Sequence, residues 1–132
     1  KSRWLAWVIP SLIFAFLHIG NPEVAKFGFL LSMSEYLFFG LFFGLIAILD
    51  DGIELSMGMH AANNLFLSLF ITHSASALQT DAVFYMKEID PVTDLLSLII
   101  ISSIAFVFLH QKYKWRLGAM NEKLYGVEII FY

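Results

Sequence analysis

His60, Asn63 and Asn64 fall within one helical turn of a stretch, Leu55 to Thr80, that carries no charged residue. In a helix His60 and Asn64 are i,i+4 neighbours on one face, and the same row runs back to Ser56 and on to Ser68. An imidazole transfers protons near neutral pH. A carboxamide offers a neutral N–H donor that does not compete for those protons, which suits a carbonyl oxygen acquiring negative charge. A second histidine closes the run Phe14-Ala15-Phe16-Leu17-His18, just ahead of Gly20-Asn21-Pro22. General acid–base chemistry at a carbonyl needs a base, a proton donor and donors for the developing oxyanion. These side chains supply part of that set.

The elements that must position them are apolar. Of 132 residues 59% are hydrophobic and 14% charged, where a soluble domain has about a quarter charged. Composition therefore predicts an all-α, polytopic bundle of transmembrane helices. Charge-free apolar runs place about four spans at 4–18, 27–49, 55–72 and 95–110. Trp4 and Trp7 read as interfacial anchors of the first span, and Gly40-x-x-x-Gly44 in the second admits close helix approach. Imidazole and carboxamide groups in hydrocarbon need partners inside the protein, so the His60 face looks inward. The bland alternative is that His60 and Asn64 only hydrogen-bond neighbouring helices together, with His18 marking a membrane boundary. The loop holding Asp81, Lys87, Glu88, Asp90 and Pro91 is read as water-exposed, and Asp50-Asp51-Gly52 as a turn.

The breaks agree with this layout. Pro22 biases Asn21 away from helix and Gly20 tolerates positive φ, so the first helix stops close to His18. Counting rise along the helices, His18 lies ~21 Å from Trp4 and His60 ~12 Å beyond Gly52, a mismatch of ~9 Å that a tilted first span has to absorb. Four spans put both chain ends on one side of the membrane. Lys1, Arg3, Lys112, Lys114, Arg116 and Lys123 then face Lys26 and Lys87, which favours cytoplasmic termini in the cell membrane.

Taken together, Phe14-x-x-x-His18, the Gly20-Asn21-Pro22 break, the Gly40 and Gly44 span, Gly52, and His60-x-x-x-Asn64 resemble the CAAX protease and bacteriocin-processing family of intramembrane endopeptidases. The resemblance covers roughly residues 4–72. It implies that His18, His60 and Asn64 are catalytic, with Phe14 and Asn63 supporting them. The family's first motif, Glu-Glu-x-x-x-Arg, whose leading glutamate activates water, is expected upstream of Lys1. Residues 1–111 then form the C-terminal portion of the protease domain, and 112–132 a short cytoplasmic tail. The activity implied is hydrolysis of a peptide or protein substrate, prenylated ones included, by a Glu/His-activated water with His60 and Asn64 binding the oxyanion. This piece alone is expected to be inactive. The alternative is a catalytically degenerate membrane scaffold or bacteriocin-immunity protein.

No cofactor is required on this reading. The family's older description as metalloproteases admits zinc, with His18 and His60 as the candidate ligands, and the same two histidines suit a haem only without other support. The net charge of -3, with no basic run interleaved with aromatics, gives no sign of nucleic-acid binding. The chain has no cysteine, so thiol chemistry is excluded. Glu35 lies after the Phe-x-x-x-His motif, with Phe39 where the arginine of a first motif belongs, so it reads as an interfacial or pairing residue. His73 and His110 sit at span ends and read as interfacial, and Lys112, Lys114 and Arg116, with Tyr113 and Trp115, read as a cytoplasmic anchor at an anionic leaflet.

Overall fold

The computed structural model describes residues 2–122, so Lys1 and Lys123 and the remainder of the tail lie outside the described residues. Its helices are α1 (Arg3–Leu17), a short α2 (Pro22–Phe27), α3 (Phe29–Leu49), α4 (Glu54–Phe70) and α5 (Pro91–Tyr113). A 3-10 helix follows over Leu117–Asn121. Two three-residue strands, β1 (Ile71–His73) and β2 (Phe84–Met86), pair in parallel with Ile71 opposite Phe84 and His73 opposite Met86. The sequence reading had the end of the third span at β1 and a water-exposed loop at β2, and no strand at either.

Local chemistry explains where the helices begin and end. Gly28 sits at φ +93°, a left-handed conformation that Cβ-bearing residues avoid, and it divides α2 from α3. The second span therefore starts at Phe29 rather than Phe27. Asp90 caps α5 by accepting from the Val92 and Thr93 amides, with Pro91 in the first turn where no amide is needed. That cap carries the helix back to Pro91, ahead of the expected start at Leu95. The Asp50-Asp51-Gly52 turn is present, with the left-handed position at Asp51 (φ 55°).

The main helices alternate in direction. Arg3 of α1 reaches the Ile48 carbonyl near the end of α3, whereas His18 lies against Tyr36 near its start. α5 runs alongside α3 in the same sense, from Asp94 at the cavity described below to Leu109 beside Ile46 and Leu49. Among these, α3 and α5 are each long and apolar enough to cross a membrane. α1 and α4, at 15 and 17 residues, fall short of the ~20 that a perpendicular crossing takes.

The apolar surface faces outward. On α5 Ile100, Ile101, Ile104 and Phe108 are each at least 59% exposed, a continuous apolar patch that water does not tolerate and lipid does. The small core gathers at the opposite end from His18, where Ile46, Leu49, Leu109, Trp115 and Met120 are buried. Trp115 donates to Asp50 Oδ1 at 2.9 Å, so the expected membrane-surface anchor is part of this core. Trp7 likewise turns inward and donates to the Leu41 carbonyl at 2.7 Å instead of marking an interface.

α1 and α3 meet almost backbone to backbone. A Cβ on Gly40 would lie 2.8 Å from the Ser11 carbonyl oxygen, and one on Gly44 would lie 3.1 Å from the Trp7 ring. Backbone does not yield cheaply, so position 40 demands glycine, while at 44 an added Cβ would need the Trp7 ring to give by a few tenths of an ångström. Gly40→Val is expected to destabilise the detergent-solubilised protein by about 1–3 kcal/mol. Gly58→Ala, in a helix position with nothing within 4 Å of an added Cβ, is expected to be neutral or stabilising by up to ~1 kcal/mol. Thermal unfolding of the two variants side by side checks the contrast.

Candidate active site

A cavity of about 370 Å³ opens at the end of the bundle where α1 meets α2 and the β1–β2 connector packs over α3 and α4. Phe14, His18, His60, Asn63 and Asn64 all line it. Two motifs more than forty positions apart thus reach one space.

Each histidine is held differently. At the end of α1 the His18 amide bonds to the Ala15 carbonyl, which leaves the Phe14 carbonyl without its helical donor. The His18 imidazole takes that place, its Nδ1 lying 2.7 Å from Phe14 O. A carbonyl only accepts, so Nδ1 carries the proton and Nε2 keeps a free lone pair. The same ring stacks on Tyr36, with centroids 4.4 Å apart, and tilts against Phe14 at 4.5 Å. His60 lies flat on Phe43 at 5.2 Å and meets Phe14 edge-on at 5.6 Å. Since both imidazoles touch Phe14, their centroids lie no more than about 10 Å apart. The mismatch counted along the helix axes therefore does not keep the two rings out of one space, since Phe14 contacts both.

The polar row on α4 faces inward as its spacing requires. Ser56 is buried and His60, Asn64 and Ser68 half-buried, while Met57 and Leu65 on the other face are each 61% exposed. Asn63 Nδ2 donates to Asn64 Oδ1 at 3.4 Å. That weak bond orients the Asn64 amide and leaves its own N–H donors for the cavity.

The sequence reading missed a second half of the lining. Glu23, Glu35, Tyr36, His73 and Asp94 share the cavity with the motif residues. His73, expected only at a span end, also lines this cavity. Its Nδ1 accepts from the Ala75 amide at 3.2 Å, so a neutral His73 carries its proton on Nε2, opposite to His18. Burial pushes this imidazole below its usual value, Glu23 and Asp94 oppose that, and Lys26 adds to it. Glu35, a carboxylate within an apolar helix, carried a signal of its own. Glu23 and Asp94 each sit in the first turn of a helix after Asn21-Pro22 or Asp90-Pro91, a pattern that says cap and gives no hint of a cavity. His110 stacks on Phe106 at 6.3 Å, far from this space, with its Nδ1 buried and unpartnered among the described residues.

The model of the type II CAAX prenyl endopeptidase Rce1-like family matches residues 1–66, half of the chain. The chain belongs to this family. The match takes in His18, His60 and Asn64, and it makes the protein a member of a membrane-embedded protease family. The chain is also 44% identical over 76 residues to the uncharacterized protein YyaK of Bacillus subtilis (strain 168). That stretch is 58% of this chain and 25% of YyaK, so the chain spans only about a quarter of this relative. No solved structure matches.

The described residues do not by themselves complete a zinc site: a catalytic zinc takes three protein ligands, and among the described residues no three His, Cys, Asp or Glu side chains lie close enough to share an ion. His18, with Nδ1 bonded to Phe14 O, has Nε2 as its available nitrogen.

The two tautomers are directly measurable. Nitrogen-15 spectra of the histidine rings near neutral pH are expected to show His18 protonated on Nδ1 and His73 on Nε2. The same tautomer at both positions would contradict the hydrogen bonds described here.

Proposed function

We propose that the chain forms the His/Asn part of an intramembrane endopeptidase site of the CAAX type, acting on a peptide or protein substrate, with prenylated substrates included. The observation that carries this reading is the convergence of His18, His60 and Asn64 on one cavity, with the His18 Nε2 lone pair free. The residues take complementary parts. A scissile carbonyl placed against α4 receives N–H donors from Asn64 and His60, which strengthen as the oxygen becomes an oxyanion. His18 Nε2 accepts a proton from the attacking water, in concert with the glutamate that the family resemblance puts upstream. The water oxygen bonds to the carbonyl carbon, the C–N bond breaks, and the proton passes to the leaving amine. Phe14 holds both imidazoles, and Asn63 orients Asn64.

The test is cleavage of a prenylated CAAX peptide by the full-length protein. His60→Ala and Asn64→Ala are each expected to lower turnover by about 10²- to 10³-fold. Undiminished cleavage by His60→Ala overturns the oxyanion assignment. No cleavage by the full-length wild type on any peptide supports instead the degenerate scaffold or immunity protein.

The charge count extends to topology. Arg3, Lys112, Lys114 and Arg116 lie at the core end of the bundle and Lys26 and Lys87 at the cavity end, a bias that supports a cytoplasmic core end in a multi-pass cell-membrane protein. Residues 1–132 contain no cysteine, so single cysteines introduced here report cleanly once any cysteine elsewhere in the full-length protein is replaced. Gln79→Cys is expected to react with an impermeant maleimide added outside intact cells, and Lys112→Cys only after lysis. The reverse pattern would invert the orientation.

A further inference from the structure

We propose that Tyr36 is a positioning residue for the His18 imidazole, and that Glu23 ties Tyr36 to the loop over the cavity so that loop and base are set together. Only the kinetic arm of the test rests on the peptidase reading above.

One hydrogen bond to Phe14 O anchors His18 at Nδ1 but does not fix the plane of its ring. The plane is set by the faces against it, and Tyr36 supplies the most nearly parallel one, at 4.4 Å and 27°. A phenylalanine would fill that volume as well. The tyrosine hydroxyl, however, is bonded on both sides: it accepts from Asn21 Nδ2 at 2.8 Å and donates to Glu23 Oε2 at 3.3 Å. With both bonds made, the ring is held from the hydroxyl end as well as by packing.

Glu23 has a second partner. Its Oε1 accepts from the Ala77 amide at 2.6 Å, while Lys26, one turn along α2, donates to Ser74 Oγ at 2.6 Å. α2 therefore holds the Ser74–Leu78 loop by two side chains, and Ser76, Ala77 and Leu78 form part of the cavity wall. Lifting the loop to admit a polypeptide takes the Ala77 amide from Glu23 and frees the carboxylate that fixes Tyr36. Closing it restores the His18 ring plane. The base is thus aligned when the loop is down and released when it is up.

Two substitutions separate this role from simple packing. Tyr36→Phe keeps the ring and removes the hydroxyl. Glu23→Gln still accepts from Ala77 through its carbonyl oxygen, but turns an NH2 toward a tyrosine oxygen that already accepts from Asn21, leaving the hydroxyl proton without its acceptor. The test is ring-proton NMR of the histidine-labelled chain in detergent micelles, with His18 assigned by loss of its signals in His18→Ala. Tyr36→Leu is expected to move the His18 ring protons downfield as the ring-current shielding is lost. Tyr36→Phe and Glu23→Gln are expected to broaden or shift the same signals while leaving those of His110 in place. Wild-type His18 signals in all three variants overturn the proposal.

In the full-length enzyme acting on a prenylated CAAX peptide, Tyr36→Leu is expected to lower kcat by about 10²-fold with KM little changed, and Tyr36→Phe to recover about a tenth or more of the wild-type value. A change confined to KM overturns the positioning role. If the full-length protein cleaves nothing, the peptidase reading fails while the NMR comparison still decides whether Tyr36 and Glu23 set His18.

Discussion

The backbone contact between α1 and α3 is the constraint on which the site depends. With glycine at 40 and 44, Ser11 and Trp7 can press against α3, and Trp7 spends its indole N–H on the Leu41 carbonyl. Two helices this close have little freedom to slide or rotate. Their register brings His18 beside Tyr36, and Phe14 between His18 and the His60 ring that rests on Phe43. Most of the aromatic cage around the two histidines follows from where the glycines fall. A side chain at 40 would push α1 outward and separate the halves of the site, and a large one at 44 would displace the Trp7 ring that packs there.

A second constraint is that polar groups surrounded by apolar surface must find each other. The outer faces of α4 and α5 present Leu65, Ile101 and Phe108, and the polar side chains gather instead in one internal space. There the needs of one residue are met by another: Phe14 O by His18, Tyr36 by Asn21 and Glu23, Glu23 by Ala77. Such a network lowers the cost of keeping ionisable groups among apolar helices. It also leaves His18 Nε2 and the Asn64 amide N–H donors without partners among the described residues, available for the role proposed above.

How much of this the sequence disclosed depended on the range of the interaction that carried it. His18, His60 and Asn64 were legible because i,i+4 spacing within one helix places side chains without reference to the rest of the fold. Gly40 and Gly44 were legible for the same reason. Glu23, Tyr36 and His73 were not, since each acquires its role only when α2 and the connector fold over α3, contacts between residues as far apart as Glu23 and Ala77. The β1–β2 pair escaped for a related reason. Three-residue strands are too short to show an alternating pattern, and a parallel pairing across the Ser74–Val83 connection leaves no hairpin turn to read. Trp115 misled because an aromatic flanked by Lys114 and Arg116 has the composition of an interfacial anchor, whereas its indole N–H is bound by Asp50, 65 positions away.

The division between legible and hidden residues follows the division of labour in the cavity. Groups proposed to touch the scissile bond lie on α1 and α4, one motif to each helix, where a rigid rod holds an imidazole or amide at fixed depth. Groups that orient them, or cover them, lie on the six-residue α2 and on the connector. These are short elements held largely by side-chain bonds, and segments of low local stability can open without unfolding the helices beneath. A site inside a membrane needs both properties, because water and an extended peptide must reach atoms that lipid must not. The rigid pair supplies the chemistry's geometry, and the loosely tied cover supplies access to it.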